Sequence, residues 1–125
     1  MPAKRNYDSF IQPGFVSVWI GDFCSEDDLE DYLDDKFPME FGFVLPPEAP
    51  CEIAVKSEPV EIGNLVQDFS CSNTFDFQVV DAARSHGITA ASCMFIIYNV
   101  KYDTPGLMVA NPQVKYIGAV PFPGF

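Results

Sequence analysis

The sequence predicts an α+β domain: a mostly antiparallel sheet of about four strands, with two or three helices packed on one face. Three observations predict it. Short runs rich in β-branched and aromatic residues recur at 14–21, 51–56, 92–102 and 113–120. Between them, apolar residues recur at helical spacing. Proline and glycine clusters mark the joins. The resulting order is β-α-β-α-α-β-β.

Residues 1–13 read as a flexible leader, and residues 14–125 as a single domain. In the first strand, Gly14 to Gly21, Val16, Val18 and Ile20 fall on one face and Phe15, Ser17 and Trp19 on the other. A helix follows over about 26–36. Ser25 is its N-cap, with Asp28 three residues on, and Leu29, Tyr32, Leu33 and Phe37 form its apolar stripe. Residues 38–50 hold Pro38, Pro46, Pro47 and Pro50 and read as a loop. Cys51 to Lys56 alternates as a short strand.

Ser57 is expected to cap a second helix reaching Gln67, with Ile62, Leu65, Val66 and Phe69 inward and Gly63 weakening it. Asn73 is expected to cap a third, striped by Phe75, Val79, Val80, Ala82 and Ala83 and stopped at Gly87. Ser92 to Tyr102 is apolar on both faces and so central in the sheet. Gln113 to Val120 is the last strand, expected to run antiparallel to the one before it. If all helices cover one face, the face carrying Trp19 needs loops, a ligand, a partner or a second copy to cover it, although core packing is the favoured reading of Trp19 itself.

The strongest functional signal is charge. Between Glu26 and Asp35, seven of ten residues are acidic and none is basic. Glu26, Asp27 and Asp28 suit the positive end of the helix dipole, but Asp34 and Asp35 sit at the negative end. Asp27–Asp31, Glu30–Asp34 and Asp31–Asp35 are like charges at i,i+4, each costing roughly 0.2–0.5 kcal/mol. Two readings fit the run: a solvated face kept negative for solubility, or a surface aimed at a basic partner.

The whole chain carries eighteen acids, seven Lys and Arg, and a net charge of −11. Contact with nucleic acid or an anionic membrane is therefore disfavoured. No apolar run reaches membrane-spanning length, and the N-terminus lacks the apolar core of a signal peptide. Cys24, Cys51, Cys71 and Cys93 are widely spaced, without a CxxC pair. A cytoplasmic chain with free thiols, needing no metal or cofactor, is the expectation.

Catalytic signals are sparse. His86 is the sole histidine, and with Cys93 it makes only a weak Cys–His pair. No GxSxG, P-loop or dinucleotide-binding glycine pattern occurs, and the acidic run lacks the order of a calcium loop. The chain is not expected to be an enzyme.

The strand Val16 to Gly21 (VSVWIG) and the helix from Ser25 to Leu33 resemble the opening of the bacterial immunity protein 22 family. A later segment is also similar: Ser70, Ser72 and Phe75 before a helix, then a strand with Tyr98 and Tyr102. The resemblance spans most of 14–103, and the proline-rich stretch 44–50 departs from it. It implies a non-catalytic protein that binds and neutralises a cognate bacterial toxin domain, often a nuclease with a basic cleft. Asp27, Glu30, Asp31, Asp34 and Asp35 would then steer the basic partner, with Trp19 and Tyr102 as aromatic anchors. The alternative is a small-molecule-binding or enzymatic domain whose pocket, on the open sheet face, is lined by Trp19, Tyr98, Tyr102 and Cys93. A homodimer through that face is compatible with the first reading.

Overall fold

The computed structural model describes residues 7–47, 49–69, 75–102 and 114–121. After a 3-10 turn at Tyr7–Phe10, the elements are β1 (Ile11–Gly21), α1 (Glu26–Asp35), α2 (Phe37–Phe41), β2 (Cys51–Glu61), α3 (Ile62–Val66), α4 (Asp76–Ser85), β3 (Ala90–Val100) and β4 (Val114–Pro121). The four strands form one open antiparallel sheet in the order β2-β3-β1-β4. The chain is thus an α+β fold, as its sequence predicts.

The helices divide between the two faces rather than sharing one. Val16, Val18 and Ile20 of β1 and Met94, Ile96 and Tyr98 of β3 meet α3 and α4 in one cluster. Trp19 of β1 and Cys93, Phe95 and Ile97 of β3 meet α1, α2 and Phe43 in the other. The face expected to stand open is therefore covered within the chain. Part of its cover comes from a stretch expected to be a loop: Pro38 sits in the first turn of α2, where its missing N–H costs nothing. Gly42 then stops the helix in the left-handed conformation (φ 85°).

Other boundaries move for stated reasons. Tyr7–Phe10 and Ile11–Pro13 are structured, not a flexible leader: Phe10 is buried, and its carbonyl accepts the Lys101 N–H at 2.9 Å. β2 continues through Ser57 and Pro59, where a helix was expected, because it is an edge strand and tolerates the missing N–H. Asn73 lies outside the described residues, and Phe75 holds the N-cap position of α4. β4 pairs with β1, not with β3. Since both β3 and β4 are antiparallel to β1, β4 points the same way as β3 from the far side of β1, not antiparallel to it as expected.

One register shift decides much of the packing. Val18 pairs with Gly118 but Trp19 with Tyr116, so Ile117 is an extra residue in β4, beside Gly118 at φ 128°. The bulge reverses the alternation along the strand. Val114 and Tyr116 face the Trp19 side, whereas Ile117 and Val120 face the other. Both sheet edges are also blunted against further pairing, β4 by this bulge and Pro121, β2 by Pro59 and a shift between Val55 and Val60.

Candidate partner-binding surface

α1 presents the charge as its sequence spacing requires. Leu29 and Tyr32 are buried beneath it, and Leu33 is half-buried. Glu26, Asp27, Asp28, Glu30, Asp31, Asp34 and Asp35 are all exposed. The N-cap is formed: the Asp28 N–H donates to Ser25 Oγ at 3.1 Å. No basic residue stands in the last turn of the helix. Among the described residues, none of these seven carboxylates makes an ion pair. The one described pair, Lys56 Nζ to Asp68 Oδ2 at 2.8 Å, lies elsewhere.

A self-repelling helix needs an anchor, and Tyr32 is one. Its hydroxyl donates to Glu40 Oε1 of α2 at 2.8 Å, in a buried contact. Burial, then the hydrogen bond and charge of Glu40, push the Tyr32 phenol far above its ordinary value. The bond ties α1 to α2 across Lys36, whose N–H donates to the Tyr32 carbonyl at 2.8 Å.

The expected aromatic anchors are not on the surface. Trp19 is fully buried, stacked on Phe95 (centroids 5.1 Å, interplanar 5°) and edge-on to Phe37 and Phe41. Its indole N–H has no hydrogen-bond partner among the described residues. Tyr102 is buried too, and its hydroxyl donates to the Phe41 carbonyl at 2.6 Å. Both hold α2 and Phe43 on the sheet rather than reaching outward. Large apolar groups that do reach solvent in this layer are Met39 of α2 (66% exposed) and Val44 (67%). Sequence reading missed them because it placed 38–50 in an unstructured loop.

The residues of the resemblance also have structural work. Ser17 Oγ donates to the Val100 carbonyl at 2.7 Å and accepts the Tyr102 N–H at 3.0 Å, clasping the end of β3. Gly21 leaves no room for a side chain: a Cβ there would lie 2.7 Å from Val114 Cγ1 and 3.2 Å from Cys93 Sγ. Ser70 and Ser72 lie outside the described residues.

The pocket expected on an open face does not form from its named residues. Tyr98 packs on the α3–α4 side, with its hydroxyl on Glu52 Oε1 at 3.1 Å, while Trp19, Tyr102 and Cys93 pack on the α1–α2 side. The Cys–His pair fails likewise. His86 is exposed at the end of α4, and Cys93 is buried on the opposite side of the sheet. Burial pushes the Cys93 thiol up to about 11, against the opposing pull of backbone hydrogen bonds from Phe23 and Gly21. Among the described residues, no three His, Cys, Asp or Glu side chains converge as a metal-ligand set. No helix among them is long and apolar enough to cross a membrane.

No protein-family model, curated protein or solved structure matches the chain. The likeness to the immunity protein 22 family therefore stands on the residues quoted for it.

Proposed function

We propose that the chain is a non-catalytic immunity protein, which binds a basic bacterial toxin domain through the outer face of α1 and neutralises it in the cell that makes it. One observation carries this reading. Seven exposed carboxylates share one ten-residue helix, none of them ion-paired among the described residues, with Lys36 at the C-cap the one cation adjoining the run. Like charges at this spacing weaken the helix that bears them. A cationic partner relieves that repulsion on binding, so the interface draws on strain already present in the free protein.

Asp27, Glu30, Asp31, Asp34 and Asp35 steer the encounter, and Met39 and Val44 take the anchoring role that buried Trp19 and Tyr102 cannot. The aromatic core packed beneath α1 and the Tyr32–Glu40 hydrogen bond hold the helix in place, which lowers the ordering cost at binding.

The test is co-purification of the tagged protein from its native host at low and then moderate salt. A basic toxin domain held in stoichiometric amount, released progressively by salt and lost with Asp31→Lys/Asp34→Lys, supports the reading. Relief of that toxin's growth inhibition by co-expression completes it. Binding indifferent to both salt and charge reversal removes α1 as the interface.

A further inference from the structure

On the side of the sheet away from α1, a cleft of about 260 Å³ opens between the β2–α3 junction, the last turns of α4 and the start of β3. Its apolar lining comes from Ile62, Val80 and Ile88. Glu61, before α3, and Arg84, in the last turn of α4, are both in its lining. Neither has an ion-pair partner among the described residues. Two opposite charges that share a cleft without pairing leave room for a ligand that pairs with both.

Gly63, also in the lining, is the second observation. It is the second residue of the five-residue α3. Neither its backbone conformation nor its neighbours call for glycine. A Cβ there would meet only Val80 Cγ2, at an ordinary 4.0 Å. By contrast Gly21 is enforced by a clash and Gly87 by its positive φ of 75°. A helical glycine without a structural reason, at the lip of a cleft, keeps the backbone open to something that approaches it.

From this geometry we infer a binding site for a small zwitterion with an aliphatic body, of the α-amino-acid class. Its carboxylate pairs with Arg84, its ammonium with Glu61, and its side chain lies on Ile62, Val80 and Ile88. The cleft holds one such molecule and little more. The site is independent of the α1 surface and of any toxin.

Titration of the isotope-labelled protein with leucine, followed by backbone amide shifts, tests it. The expected result is saturable shifts at Gly63, Ile88, Thr89 and Ala90, with Kd on the order of 1 mM or tighter. Arg84→Gln, an exposed substitution, weakens binding about tenfold or more while leaving the remaining spectrum unchanged. Gly63→Val blocks it by filling the lip. Isopentylamine and 3-methylbutanoate, each carrying one charge, bind more weakly than leucine. Absent or non-saturating shifts at these amides overturn the site. So do shifts indifferent to Arg84→Gln, or 3-methylbutanoate binding as well as leucine.

Discussion

The two faces of the sheet are built from neighbouring residues of the same strands, yet they are different kinds of core. Against α1 and α2, eight of the thirteen described buried residues are aromatic. Against α3 and α4, three of seventeen are, and the rest are mostly aliphatic. Aromatic rings fill a layer with few side chains and hold it by ring geometry as well as area. That suits α1, which offers only Leu29, Tyr32 and half-buried Leu33 to the core because the rest of it is charge. The aliphatic side has no such constraint, since α4 carries a mixed surface. The charged helix and the aromatic core beneath it are thus one device: the core supplies the stability that the helix cannot.

Substitution at adjacent positions of β3 sharpens this contrast. Phe95→Ala, on the aromatic face beside Trp19, should cost about 3–5 kcal/mol, and Ile96→Val, on the aliphatic face, about 0.5–1.5 kcal/mol. Chemical denaturation of both variants checks it. Equal losses would show that the aromatic layer has no special weight. Trp19→Phe should fall well below Phe95→Ala, because it also removes an indole N–H that has no partner among the described residues.

Next in size, Gly21→Ala should cost about 1–3 kcal/mol, because its Cβ would press on Val114 at 2.7 Å. Gly63→Ala, whose Cβ would meet only Val80 Cγ2 at an ordinary 4.0 Å, should be neutral or slightly stabilising. Thermal melts of the pair separate a glycine the fold needs from one it does not.

Tyr32→Phe leaves the buried Glu40 carboxylate without its hydroxyl donor, and should cost about 1–3 kcal/mol. Alkaline pH probes the same layer. The folded value of Cys93 lies above its ordinary one, so the native state holds the proton more tightly than the unfolded chain does. Its contribution to stability is full below pH 9 and is lost as pH rises through about 11. Tyr32 shifts in the same direction. Melting temperature measured against pH should therefore fall on the alkaline side, and a rise there would contradict the burial of these groups.

The smallest effect is the most diagnostic. Asp31→Lys removes like-charge neighbours at Asp27 and Asp35, so it should stabilise the free protein by a few tenths of a kcal/mol while slowing partner association. Raising salt from about 0.01 M to about 0.15 M shortens the Debye length from about 30 Å to about 8 Å, and should raise the melting temperature too. A variant that loses both stability and binding would mean that α1 is optimised for the fold rather than for a partner.

Much of the fold was legible because its signals are local. Alternation in β1 assigned Val16, Val18 and Ile20 to one face and Trp19 to the other, and the Ser25 cap placed α1 to within a residue. α2 was not legible, because its Pro38 reads as a breaker unless one knows that it falls in the first turn. Nor was the bulge at Ile117, since a one-residue slip leaves composition and periodicity almost unchanged. The exposed acids of the candidate surface were readable as a run of like charge. The exposure of Met39 and Val44 was not, because 38–50 read as a loop, and aromatic residues such as Trp19 and Tyr102 serve cores and surfaces alike until burial separates them.

The sequence by itself determined the elements that local chemistry specifies: strands by alternation, α1 by its cap and stripe, and an acidic surface whose charge no tertiary arrangement could bury. The tertiary structure alone decided that β4 crosses to pair with β1, that the helices split between two faces, and that Trp19, Tyr98 and Tyr102 all point inward. The reason is physical. A residue's periodicity fixes which side of its own element it occupies, but what waits on that side is set by contacts with residues far away in the chain.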